Sequence, residues 1–182
     1  MSRRSTDEKP LSLADLIGFL RRTRVTRDML IGALERLEVS ESELRLHGNF
    51  CEDRYQRNTI VKEHDFEILL MCWKSGQRSL IHDHGTSLGG VKIVRGILTE
   101  SSFALAPNGM IKPVGSTDYR AGDVQIEDRS TIHQVSNLQP NGCDAISLHV
   151  YVPPLAEMNI YRLYDLKVYS LPAGLHAYGS GI

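Results

Sequence analysis

From Tyr55 onward the chain is a succession of short runs rich in Val, Ile, Leu and aromatic residues, separated by Gly, Asn and Asp. The runs 55–62, 66–73, 79–84, 90–95, 97–105, 110–114, 122–127, 131–136 and 145–152 read as strands. Asn108-Gly109 is a two-residue hairpin signal between two of them, and Gly96 marks a further turn or bulge. Many short strands at even spacing predict a β-sandwich or barrel of the jelly-roll kind. The segment 159–169 is expected to pack outside it, as a strand or an irregular stretch.

The first fifty residues differ in texture. Ser12 stands three residues before Asp15, a capping-box pattern, and Leu13, Leu16, Ile17 and Leu20 follow at helical spacing. A second helix is expected to start near Thr26, with Met29, Leu30, Ala33, Leu34 and Leu37 on one face; Ser40 with Glu43 suggests a further helical turn. The expectation is a helical cap over 1–50 and a β-barrel over 51–182, joined in one domain. A chain of 182 residues is long enough for one sizeable core.

Composition narrows the partners. A net charge of -1 gives no reason to expect nucleic acid or an anionic membrane. The longest apolar run, Ile68 to Trp73, is far too short to span a bilayer, and Met1 to Pro10 lacks the apolar core of a signal peptide. Cys51, Cys72 and Cys143 have neither the number nor the pattern of a disulfide framework. A cytoplasmic monomer is expected.

The chemistry gathers around histidine. His82 and His84 lie at i and i+2 of a β-like run, a spacing that points both side chains to one face of a strand. His133 lies on a later run. Three imidazoles on a barrel's inner face suit one metal ion with open positions left for substrates. Ser147, His149 and Tyr151 lie at i, i+2 and i+4 of another run and also share a face. A serine hydroxyl can orient the imidazole, which in turn holds the tyrosine hydroxyl, as in a general acid–base relay. His47, His64 and His176 fall outside these patterns and read as surface or structural residues.

The spacing Gly76-x5-His82-x-His84, then Gly96, and later Gly122, His133 and Asn137, resembles the two motifs of the cupin superfamily. The glutamate usual in the first motif is replaced by Gly89; Asp128 and Ser130 stand where the second usually has Pro and Gly. A three-His cupin with Tyr55-Gln56-Arg57-Asn58, His82-Asp83-His84, His133-Gln134-Val135-Ser136-Asn137 and Ser147-Leu148-His149-Val150-Tyr151 is similar to the cysteine dioxygenase family.

That resemblance implies Fe(2+) on His82, His84 and His133, with L-cysteine and O2 as substrates and cysteine sulfinic acid as product. It implies a relay of Ser147, His149 and Tyr151, and a substrate carboxylate held by Arg57, with Tyr55 supporting it or lining the pocket. A guanidinium fork suits that task. It also places an X-Pro bond at Val152-Pro153, where a cis form is expected. Animal members carry a cysteine at the position of Gly89, crosslinked to the tyrosine; here an uncrosslinked Tyr151 is expected. Three neutral imidazoles leave the full charge of the ion to favour a thiolate.

Two other functions compete. Dioxygenation of 3-mercaptopropionate or another small thiol would use the same metal and relay, but relatives of that specificity tend to lack an arginine at the position of Arg57. A noncatalytic metal-binding cupin would have no use for a proton donor beside the metal. The donor set alone also suits zinc, nickel or copper.

Overall fold

A computed structural model describes residues 9–128 and 130–173. Three helices come first: α1 (Leu13–Arg22), α2 (Arg27–Arg36) and α3 (Glu41–His47). Ser12 and Ser40 each close a capping box, with Asp15 and Glu43 returning the bond, and Thr26 caps α2. All three starts are where the sequence predicts them.

The strands are β1 (Gln56–Lys62), β2 (Glu67–Trp73), β3 (Ile81–His82), β4 (Leu88–Arg95), β5 (Ile97–Leu105), β6 (Ile111–Arg120), β7 (Val124–Glu127), β8 (Ile132–Ser136), β9 (Ala145–Val152), β10 (Glu157–Arg162) and β11 (Asp165–Pro172). They form two antiparallel sheets, ordered β1-β2-β9-β4-β7 and β11-β10-β3-β8-β5-β6. Positive φ at Gly96 and Gly109 turns the chain between β4 and β5 and between β5 and β6.

Some boundaries differ from the sequence reading. The run 79–84 yields only the two residues of β3, because Asp83 draws the chain into a turn by accepting from the Gly85 backbone N–H. The run 110–114 extends to Arg120, where polar residues continue pairing with β5 along an exposed edge. The region around 159–169 is a hairpin rather than one segment, and β10 joins the second sheet beside β3.

Strands β2 and β9 are buried on both faces, so alternate residues serve two cores. Ile68, Leu70, Cys72, Ile146, Leu148 and Val150 pack against the leucines of the helices. Leu69, Met71, Trp73, Ala145 and Tyr151 face the other way, into a second core with β4, β8 and β10. Helix α2 lies directly on β4: a Cβ at Gly90 would stand 2.7 Å from Leu34 and 2.8 Å from Leu30. Lys92, two residues on, donates to the carbonyls of Leu34 and Glu35 at the end of the same helix.

Asn137 ties the end of β8 to β2 and to the loop before β9. Fully buried, it donates to the carbonyls of Trp73 (3.0 Å) and Cys143 (2.9 Å) and accepts from the Gln139 backbone (3.1 Å). Asn137→Ala strands these groups, and the expected cost is about 3 kcal/mol. Urea unfolding measures it, and an unchanged midpoint would contradict this account.

Candidate metal centre

His82 ends β3 and His133 lies on β8 as its direct cross-strand partner. His84 lies beyond the end of β3, so strand alternation does not aim its ring. The turn does. Buried Asp83 accepts from Gly85, from the Asn159 backbone (3.1 Å) and side chain (2.9 Å), and from the Tyr161 hydroxyl (2.9 Å). Strand β10 thus braces the His-Asp-His segment. The three ring centroids stand 5.1, 4.6 and 4.9 Å apart, and one nitrogen from each lies within 4.8 Å of the others.

The rings are oriented from behind. His82 Nδ1 lies 2.8 Å from the Leu80 carbonyl and His133 Nδ1 lies 3.2 Å from Glu100. In both, the Nδ1–H donates and Nε2 carries the lone pair. His133 Nε2 and both nitrogens of His84 are buried without a hydrogen-bond partner among the described residues. Buried polar atoms of this kind demand a partner, and a cation shared by the three rings supplies one. Burial, then the neighbouring His133, His82, His149 and Arg57, hold His84 well below the usual imidazole range, so its lone pair is available. His82, His84 and His133 therefore fit a metal ion.

Two carboxylates lie alongside. Glu100 of β5 accepts from Gln125 as well as from His133. Glu127 of β7 has Oε2 at 3.1 Å from His84 Nδ1 and Oε1 at 3.4 Å from His133 Nδ1. Burial pushes the Glu127 carboxyl up to about 7, against the pull of His133. Burial alone would lower His133, but Glu127 and Glu100 outweigh it and raise it. The two carboxylates thus place negative charge beside the rings, felt most by His133.

On β9, Ser147, His149 and Tyr151 form a continuous chain, with Ser147 Oγ at 2.8 Å from His149 Nε2 and His149 Nδ1 at 3.2 Å from the Tyr151 hydroxyl. Trp73 of β2 extends it, its indole N–H donating to Ser147 Oγ at 3.0 Å. An indole only donates, which fixes the direction of the chain. Ser147 accepts from Trp73, and among the described residues His149 is the acceptor in reach of its hydrogen. Burial, with Arg57 and His133 adding, lowers His149 to about 3, so the ring is neutral and its proton sits on Nδ1. That proton points at the Tyr151 oxygen, leaving the phenol's own hydrogen free to face the pocket. Burial raises Tyr151 far above the usual phenol range, so it keeps that hydrogen.

Arg57 and Tyr55 line the same pocket as the three histidines and Tyr151. Arg57 hydrogen bonds to Tyr55, whose ring stacks on Trp73 at 4.4 Å. The structure thus lines one pocket with Tyr55, Arg57, His82, His84, His133, His149 and Tyr151, while Ser147 stands behind His149. Trp73 and Glu127 line it too, and Glu100 stands behind His133; the sequence reading does not include these three. Their signal is cross-strand register, as between Gly89 and Glu127 or Met71 and Ser147, which no local spacing reveals.

Gly89 pairs with Tyr151, and a Cβ there would stand 3.3 Å from Tyr151 Cε1. Cys72 packs toward the helices, Cys51 is half-buried, and Cys143 is exposed beyond β8. No cysteine among the described residues lines the pocket beside Tyr151. The Val152-Pro153 bond is cis.

Comparison with known proteins agrees with this geometry. Residues 3–163 match the family model described as cysteine dioxygenase type I. The chain is 33% identical over 154 residues to cysteine dioxygenase type 1 of Rattus norvegicus, covering 80% of this chain and 76% of that protein. It is 31% identical to the Homo sapiens protein of the same name, with the same coverage. Among solved structures, a Klebsiella pneumoniae protein with a double-stranded β-helix domain superposes with a TM-score of 0.51 at 17% identity, over 65% of this chain and 94% of that one. TT1209 of Thermus thermophilus gives 0.51 at 14% identity, over 61% and 94%. These two likenesses establish the fold; the family match and the relatives establish more, and the chain belongs to the cysteine dioxygenase type I family of thiol dioxygenases.

Proposed function

We propose that this protein is an Fe(II)-dependent cysteine dioxygenase, placing both atoms of O2 on the sulfur of L-cysteine to give cysteine sulfinic acid. The observation that carries this reading is the meeting, in one buried pocket, of three imidazoles, a guanidinium and a phenol with a free hydrogen. The name shared by its relatives supports the same substrate.

His82, His84 and His133 would hold the ion through Nε2. Bound Fe(II) would supply the redox chemistry, taking the thiol as thiolate and opening its path to O2. Arg57 holds the substrate carboxylate in its planar fork, and Tyr55 steadies the guanidinium through a hydrogen bond. Tyr151 donates its hydrogen to the reacting end of the substrate, held there by His149, Ser147 and Trp73. Glu100 and the Leu80 carbonyl keep two of the rings turned to the ion.

The helical cap and the barrel act as one domain, since the helix leucines and the outer face of β2 and β9 form a single core. Three free cysteines suit a reducing cytoplasm, and no helix among the described residues is long and apolar enough to cross a membrane. We place the protein there as a monomer.

Loaded anaerobically with Fe(II), the protein should take up one O2 per L-cysteine and form the sulfinate faster than with 3-mercaptopropionate. Preference for the latter would keep the chemistry and overturn the substrate. Arg57→Ala should lower kcat/KM for cysteine about 100-fold, chiefly through KM, with Arg57→Lys intermediate; equal kinetics would remove Arg57 from carboxylate binding. Trp73→Phe keeps the packing but frees the Ser147 hydroxyl to turn. Its kcat should fall about tenfold with KM little changed. A fall in KM-dependent binding alone would mean that Trp73 only packs.

A further inference from the structure

Glu127 has no role in the reaction as described above, yet it is among the most costly residues in the molecule to keep. Its side chain is fully buried. Neither carboxylate oxygen has an aligned hydrogen-bond partner among the described residues, whereas Glu100 beside it accepts from Gln125 and His133. A buried carboxylate without partners costs several kcal/mol unless a nearby charge compensates it.

Its position shows what would compensate it. Strand register sets Glu127 directly opposite Gly89. A Cβ at position 89 would stand 3.0 Å from Oε2 of Glu127 and 3.3 Å from its Cβ. The carboxylate therefore occupies the volume that a side chain on β4 would fill. From there its oxygens reach the Nδ1 side of two rings, His84 at 3.1 Å and His133 at 3.4 Å, behind the nitrogens that face the pocket. His84 Nδ1 is itself without an aligned partner, so a small ring rotation turns this contact into a hydrogen bond.

Resting on the metal-centre reading above, we propose that Glu127 is the anionic positioning residue of the metal site, acting on the ion through His84 and His133. Accepting the Nδ1–H of His84 commits that ring's Nε2 to the ion, as Leu80 does for His82 and Glu100 for His133. A charged acceptor also makes an imidazole a stronger ligand, and its negative charge offsets that of the cation across the ring. Among the described residues the ligand atoms that converge are those of His82, His84 and His133, so Glu127 supports the rings rather than joining them.

Glu127→Gln tests this with the full chain. The probes are Co(II), which is stable in air, and Fe(II) under anaerobic conditions, each titrated against a competing chelator. The variant should bind both about 10- to 100-fold more weakly than the parent. Its metal-free form should unfold at the same urea midpoint or a higher one, since an uncompensated buried charge has gone. Equal metal affinity would overturn the proposal. So would a lower metal-free midpoint accompanied by equal loss of affinity, which marks a structural role. A change in Co(II) coordination number in the visible spectrum would make Glu127 a ligand and overturn its positioning role. Failure of the parent protein to bind either ion would instead overturn the metal-centre reading, and shows before any variant is made.

Discussion

Pairing of β9 between β2 and β4 sets Ile146, Leu148 and Val150 against the helices and Ser147, His149 and Tyr151 on the opposite face, where the last two line the pocket. Both faces are buried, so the strand cannot slip by one residue without driving three polar side chains into the leucine core and three aliphatic ones into the site. The apolar face fixes the register, and the polar face inherits it. Helices α1, α2 and α3 contribute to the chemistry in this indirect way. Their leucines make the outer face of β9 worth burying, and Gly90 lets α2 lie close enough to do so.

A polar interior of this size persists because nearly every group in it has a partner. Asp83 accepts bonds from Gly85, Asn159 and Tyr161, Glu67 accepts from the Leu155 backbone, and Ser147 lies between Trp73 and His149. Among the described residues, buried atoms of His84, His133 and Glu127 that lack a hydrogen bond meet at one place. Unpaired groups scattered through a core would signal poor packing. Unpaired groups that converge, three imidazoles with two carboxylates beside them, describe a receptacle for a cation.

The sequence carries much of this, though unevenly. The capping residues Ser12, Thr26 and Ser40 and the Asn108-Gly109 turn act over a few positions, and they are legible for that reason. So are Ser147, His149 and Tyr151, whose spacing matches a strand that exists. His82 and His84 were legible by spacing, yet the physical reason differs: β3 ends at His82, and Asp83, held by Asn159 and Tyr161 from β10, aims the second ring. Trp73 and Glu127 were not legible. Trp73 reads as one more apolar residue of a buried strand, and its donor role exists only once β9 places Ser147 diagonally from it, opposite Met71. Glu127 ends a short strand, and nothing near it in sequence announces a metal site.

Gly89 joins several of these features. It pairs with Glu127 on one side and Tyr151 on the other, and a Cβ added there would crowd both. A glycine at this position leaves the Tyr151 ring edge without a neighbouring thiol and leaves space for a carboxylate from the adjacent strand. The space without a side chain at 89 thus borders both the tyrosine ring and the carboxylate. A larger residue at 89 would have to be accommodated by movement of Glu127, of Tyr151, or of both. The Tyr151 ring and the Glu127 carboxylate thus meet at one backbone position, where any added side chain would press on both.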